Sequence, residues 1–186
     1  MSENLPCKKI GSFILPCPIK KKLIVNYGTT IDNKFVGISY YNIVSFIQKL
    51  VIKKFIPKKY EHLFEVTWME ITSPYIPPHT DSHIKCVINI YIKTNNATTS
   101  FYTIKNTECQ TMKIKNQTDG SIFDEKSLEK VCEFTADTND AWLLNVKTPH
   151  SVRTTNLNSN DTRTAYCLQT KHLDYDTVKK ILNITI

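Results

Sequence analysis

The chain has 186 residues, is 41% hydrophobic and 22% charged, and carries a net charge of +7 with a pI near 9.0. Its length suits one domain able to bury roughly 70% of its unfolded surface, and its hydrophobic content excludes a disordered chain. No apolar run reaches the length of a membrane span, no C-x-x-C pair suggests a zinc knuckle or redox motif, and M-S-E-N-L-P-C lacks the apolar core of a secretory leader.

These features lead us to expect a cytoplasmic protein (host cytoplasm if viral) with six free cysteines and no membrane partner. Only four glycines occur, while Lys, Asn, Ile and Thr abound, a composition typical of an AT-rich coding sequence. The lysines are densest at 20–22, 53–54 and 58–59, and the only arginines are Arg153 and Arg163. Scarce arginine disfavours a nucleic-acid groove reader, so the positive charge reads first as a solvated surface.

In chain order, residues 1–20 hold Pro6, Cys7, Pro16, Cys17 and Pro18 and suggest an irregular lead-in or an edge strand. Residues 39–56 predict a helix, because Ile43, Phe46, Ile47, Leu50 and Val51 recur at three and four residues. Ser39 would cap it and Pro57 would stop it. From residue 63 the pattern changes to short β-prone runs at 64–73, 84–93, 100–104, 111–115, 129–135, 141–146 and 163–170. Runs of that length between turn residues predict a sandwich or barrel. The polar stretch 105–128 reads as an insertion over the site, and residues 173–186 include a short terminal helix. The expected layout is a single domain, 1–186, with N-terminal strands and a helix over 1–62, a β core over 63–172 and the helix after it.

The chemistry concentrates in P77-P-H-T-D81 and in W142-L-L-N-V-K-T-P-H150-S-V. His79 and Asp81 are two residues apart, so an extended backbone points both to one side. His150 follows 69 residues after Asp81, enough chain for several strands of a jelly roll. Two imidazoles and one carboxylate in this arrangement form the facial triad that holds Fe(II) and leaves coordination positions open. Arg163 opens the run R-T-A-Y-C-L-Q-T and would share a face with Ala165 and Cys167, leaving room for a carboxylate beside its guanidinium. Asn89 and Tyr102 are further candidates to hydrogen-bond such a ligand from the barrel wall. Trp68 and Trp142 read as packing residues, and His83 as a loop residue.

These residues resemble the Fe(II)/2-oxoglutarate-dependent oxygenases of the double-stranded β-helix fold over about residues 63–170. The resemblance rests on H79-T-D81, I88-N-I-Y-I, T98-T-S-F-Y102, W142–V152 and Arg163. The P-H-S-V flank is most similar to aspartyl/asparaginyl β-hydroxylase-like and prolyl-hydroxylase-like members, including small phage and viral forms. The resemblance implies a mainly β (α+β) jelly roll, cupin-like, with flanking helices. It implies that His79, Asp81 and His150 are the catalytic metal ligands, and that Arg163 anchors the far carboxylate of 2-oxoglutarate. Many relatives carry this basic residue nearer the last histidine; a longer hairpin through N156-L-N-S-N-D161 would account for the difference, with Arg153 the alternative. The implied reaction hydroxylates a C–H bond using O2 and releases succinate and CO2 from the co-substrate. A protein or peptide residue is the favoured substrate by the flank, with a free amino acid, another small metabolite or a nucleobase as alternatives. The chain departs from the nucleic-acid dealkylases, which carry R-x-N-x-T-x-R after the last histidine, so nucleic acid is the less favoured partner. Two other classes compete: a cupin-type metalloprotein that ignores 2-oxoglutarate, and a β-sandwich binding module without catalysis.

Overall fold

The computed structural model describes residues 5–27, 37–105, 111–113, 120–154 and 162–184. Its strands are β1 (Cys7–Ser12), β2 (Lys20–Tyr27), β3 (Ile38–Ile43), β4 (Glu65–Ile71), β5 (Tyr75–His79), β6 (Cys86–Lys93), β7 (Thr98–Ile104), β8 (Thr111–Lys113), β9 (Ser121–Phe123), β10 (Leu128–Thr135), β11 (Asp140–Leu144), β12 (His150–Arg153) and β13 (Arg163–Thr170). Two helices, α1 (Ser45–Phe55) and α2 (Tyr175–Ile181), complete it. No helix among the described residues is long and apolar enough to cross a membrane.

The strands form a seven-stranded sheet ordered β1-β11-β6-β13-β4-β3-β2 and a six-stranded sheet ordered β10-β7-β12-β5-β9-β8. All pairings are antiparallel. From β4 to β7 and again from β10 to β13 the chain switches sheet at every strand. The result is two four-stranded halves, β11-β6-β13-β4 facing β10-β7-β12-β5, which is a jelly roll.

The period-two pattern explains how each strand serves two cores. On β6, Cys86, Ile88 and Ile90 join Val66, Trp68, Tyr166 and Leu168 on the outer face of the larger sheet. There they pack beneath Ile47 and Val51 of α1 and Val178 of α2. Val87 and Tyr91 point the other way and meet Met69, Phe101, Phe134 and Ala165 between the sheets. Both faces of β6 are therefore buried, and truncating Ile88 to alanine would cost about 2–5 kcal/mol.

Two sequence expectations change here. Residues 39–56 are not one helix: Ile38–Ile43 is strand β3, and α1 starts only at Ser45, with Val44 rather than Ser39 at its N-cap and no capping side chain. Tyr40, Tyr41 and Ile43 favour a strand, and β3 is held by ladders to β2 and β4 on either side. The helix ends at Ile56, just before Pro57. The run 142–152 is also divided. Leu144 ends β11 in the larger sheet, a turn follows, and His150 begins β12 in the smaller one. Part of the polar stretch 105–128 is sheet, since β9 pairs with β5 at His79↔Ile122. The hairpin turn 156–161 lies outside the described residues.

Candidate metal centre

His79 is the last residue of β5, and His150 is the first of the neighbouring β12, where the two are register partners. Their rings lie 4.3 Å apart, and Phe101 stacks on His150 from β7 at 5.6 Å. Pro77 and Pro78 offer no amide N–H, and the β5–β12 ladder slips across them, between Ile76 and His79. Asp81 lies beyond the strand. Its loop is pinned by Thr80 N donating to Ser121 O, Asp81 N donating to Val146 O, and Lys147 Nζ donating to Asp81 O, each at 2.9 Å.

The three side chains converge. Asp81 Oδ1 is 3.5 Å from His79 Nε2 and 3.6 Å from His150 Nε2, and one donor atom from each residue falls within 4.8 Å of the others. Each imidazole is oriented from behind: His79 Nδ1 is 2.8 Å from Pro77 O and His150 Nδ1 is 3.0 Å from Thr148 O. A carbonyl can only accept, so each Nδ1 donates, and each Nε2 is left facing the carboxylate. Burial, reinforced by neighbouring His79, pushes the His150 pKa down to about 4, so this ring is neutral near pH 7. Burial would raise the Asp81 carboxyl, but its hydrogen bond to His79 and the nearby His150 and Lys147 outweigh that and hold it below the usual range. Two imidazoles and a carboxylate, already aimed at one point, fit a divalent first-row metal.

Arg163 begins β13 with its side chain in the interior between the sheets, 3% exposed. Its Nη2 donates to Thr99 Oγ1 at 3.0 Å, and its guanidinium lies over Tyr91 at 4.5 Å. Its Nε has no hydrogen-bond partner, and no carboxylate pairs with it among the described residues. Arg153 is different: it is largely exposed, 3.6 Å from Glu125 and over the Tyr75 ring.

Between Arg163 and the triad runs a row of register neighbours across four strands of the larger sheet: Thr67, Cys167, Asn89 and Trp142. Burial raises the Cys167 thiol; the Asp81 charge adds to this and the Arg163 charge opposes it, as expected of a group lying between the two. Asn89 Nδ2 donates to Tyr91 Oη at 3.4 Å, leaving its Oδ1 without a partner. Trp142 stacks on Phe134 at 3.8 Å with its Nε1 free, and Thr67 Oγ1 has only the weakly polar Cys167 thiol beside it. These three atoms and Arg163 Nε are the buried side-chain polar atoms left unsatisfied among the described residues, and all lie on the interior face of this sheet. No sequence signal marked Thr67 or Thr99, because a threonine in a strand is ordinary until its neighbours are known.

Tyr102 is not brought to the site. Phe101 takes the interior position on β7, while Tyr102 packs with Phe123 and Leu128 on the opposite face and shares a 2.8 Å hydrogen bond with Ser151. Alternation along the strand accounts for this. Trp68 packs against Tyr166 in the outer core and donates to Glu70. His83 lies in a loop at φ 59° beside the triad.

A cavity of about 450 Å³ opens on His79 and Asp81 from outside, with Thr67, Tyr40, Glu65 and Gln169 among its other residues. Arg163 and Asn89 are not on its wall.

No family model matches the chain, and no curated protein matches it. Among solved structures it is similar to plant vicilins. It shares 10% identity with vicilin from Corylus avellana (hazelnut), over 80% of this chain and 31% of that one, at a TM-score of 0.41. It shares 9% with vicilin from Capsicum annuum, over 73% and 28%, at 0.41, and 12% with the vicilin from Solanum melongena, over 72% and 27%, at 0.36. The chain thus spans under a third of the length of these three relatives. The jelly-roll assignment rests on the strand order.

Proposed function

We propose that this chain is a metal-dependent oxygenase that uses Fe(II) at His79, Asp81 and His150 and a 2-oxoacid co-substrate, with 2-oxoglutarate the best match. The observation that carries the reading is Arg163. Among the described residues its buried guanidinium has no carboxylate partner, which is costly, and a ligand carboxylate would relieve that cost through charge-assisted hydrogen bonds. Arg163 projects from the larger sheet into the interior that the two histidine-bearing strands of the smaller sheet border, where Asn89 Oδ1 and Thr67 Oγ1 also lack good partners. When bound, iron would supply O2 activation and C–H hydroxylation. The chain's own part is to hold three ligands in one orientation, to seat the co-substrate between Arg163 and the triad, and to bring the substrate through the cavity beside His79 and Asp81.

The second reading is a cupin-type metalloprotein that binds metal and no oxoacid. It is favoured by the cavity, which reaches His79 and Asp81 without reaching Arg163. Anaerobic titration of the apo-protein with Fe(II) and then 2-oxoglutarate separates the two. A visible metal-to-ligand charge-transfer band on adding 2-oxoglutarate supports the oxygenase. Iron binding without that band supports the cupin-type protein, and no iron binding removes both. The favoured substrate remains a protein or peptide side chain.

A further inference from the structure

The net charge of the chain belongs to one part of it. Residues 13–27 and 37–60 contain eight lysines and no acidic residue, a balance of +8; all other residues together hold 16 basic and 17 acidic side chains. The fold makes these residues one layer. Phe13 packs on Phe55 at the end of α1, Leu15 joins Ile47 and Val51 in the core beneath it, and Val44 N donates to Ile19 O at its start. Residues 13–19 therefore run antiparallel along α1, and β2 follows directly as the edge of the larger sheet.

The same layer exposes apolar side chains. Ile14 is 83% exposed, Phe46 74%, Ile19 60% and Ile24 49%. On α1, Phe46, Lys49 and Lys53 fall on one outward stripe at positions i, i+3 and i+7. Lys20 is matched by Glu70 at 2.9 Å, but no other lysine of the segment is ion-paired among the described residues.

We infer that this face docks on an anionic lipid surface, with the lysines at the headgroups and Phe46, Ile19 and Ile14 entering the acyl boundary. Concentrated positive charge disfavours pairing with a second copy of the same face. A nucleic acid would match the lysines but offers nothing to exposed aliphatic side chains, whereas a bilayer interface matches both. The positive charge read first as a solvated surface; the fold gathers the lysine runs into one layer. Ile24 and Gln48 belong to this layer and also to the wall of the cavity, so docking would hold the cavity mouth close to the lipid. The inference does not depend on the metal or on the proposed activity.

The test is flotation of the full chain with phosphatidylcholine vesicles, with and without phosphatidylserine. Binding is expected only with phosphatidylserine, and should weaken with salt. Lys49→Glu/Lys53→Glu and Phe46→Ser/Ile19→Ser should each lower partitioning roughly tenfold or more. Lys126→Glu/Lys130→Glu makes the same charge change on the smaller-sheet side and should leave partitioning unchanged. Three results would overturn the inference. One is no binding to phosphatidylserine vesicles. Another is an equal loss in the Lys126/Lys130 variant, which would reduce the effect to net charge. The third is full binding by the Phe46/Ile19 variant together with displacement by single-stranded DNA, which would mark a general polyanion surface.

Discussion

Arg163 Nη2 donates to Thr99 Oγ1 over 3.0 Å, and this bond ties the last strand of the larger sheet to the smaller sheet through the interior. It leaves the buried cation with a neutral partner and an unused Nε. Replacing Arg163 with Met keeps much of the volume and removes the charge. The apo-protein should melt at the same or a higher temperature, because an uncompensated buried charge is lost. The melting shift produced by Fe(II) plus 2-oxoglutarate should shrink, with co-substrate affinity falling about ten- to a hundredfold, while Fe(II) affinity is kept. Unchanged 2-oxoglutarate affinity in this variant would move the anchor elsewhere.

His150 sets a pH dependence. His150 has a folded-state pKa of about 4 against 6.5 unperturbed, so below pH 6.5 the unfolded chain takes up the proton more readily. Metal-free stability should be greatest above pH 6.5 and fall as the pH drops towards 4, by on the order of 3 kcal/mol. Thermal melts across that range in His150→Gln should show a shallower slope. An equal slope in the variant would assign the effect to other groups.

Cys7 on β1 and Cys132 on β10 place their sulfurs 3.6 Å apart, at edges of different sheets. The hydrogen bond from Cys7 lowers the Cys132 thiol, against burial, and this partly exposed sulfur would be the attacking thiolate. Treatment with diamide should transfer both thiol hydrogens to the reagent and link the two residues. Non-reducing peptide maps should show one 7–132 bridge, with stability raised by about 2–4 kcal/mol. Cys132→Ser should lose both effects; a bridge elsewhere in the wild type would count against the pairing.

Gly37 leads into β3 at φ 84°, and its carbonyl accepts from Thr72 N at 2.8 Å. A Cβ there would collide with Thr72 Oγ1 and come within 3.0 Å of Ser73 N. Gly37→Ala should lower stability by about 1–3 kcal/mol in denaturant titration, through strain and the clash together. A change within a few tenths would show that the β3–β4 entrance relaxes freely.

Where a strand's own side chains decide its fate, it was readable. Residues 163–170, 129–135 and most of 84–93 form strands where the runs of β-branched and aromatic residues predict them. The short strands β5 and β12 carry no alternating pattern, and the first of them holds two prolines. They exist because neighbouring strands supply their hydrogen bonds. The misreading over 39–43 has a related origin: the apolar spacing there fits both periods, and only ladders to β2 and β4 choose the strand.

By itself the sequence determined the β character of the chain, the candidate metal-binding group His79, Asp81 and His150, and Arg163 as the arginine worth watching. Those follow from residue type and spacing, which are local properties. The tertiary structure alone decided that Arg163 is buried and Arg153 exposed, that Phe101 rather than Tyr102 faces the histidines, and that the lysines of residues 13–27 and 37–60 share one layer. These depend on strand register and on which sheet each strand joins. Both are set by hydrogen bonds and packing between residues far apart in the chain, and no local spacing encodes them.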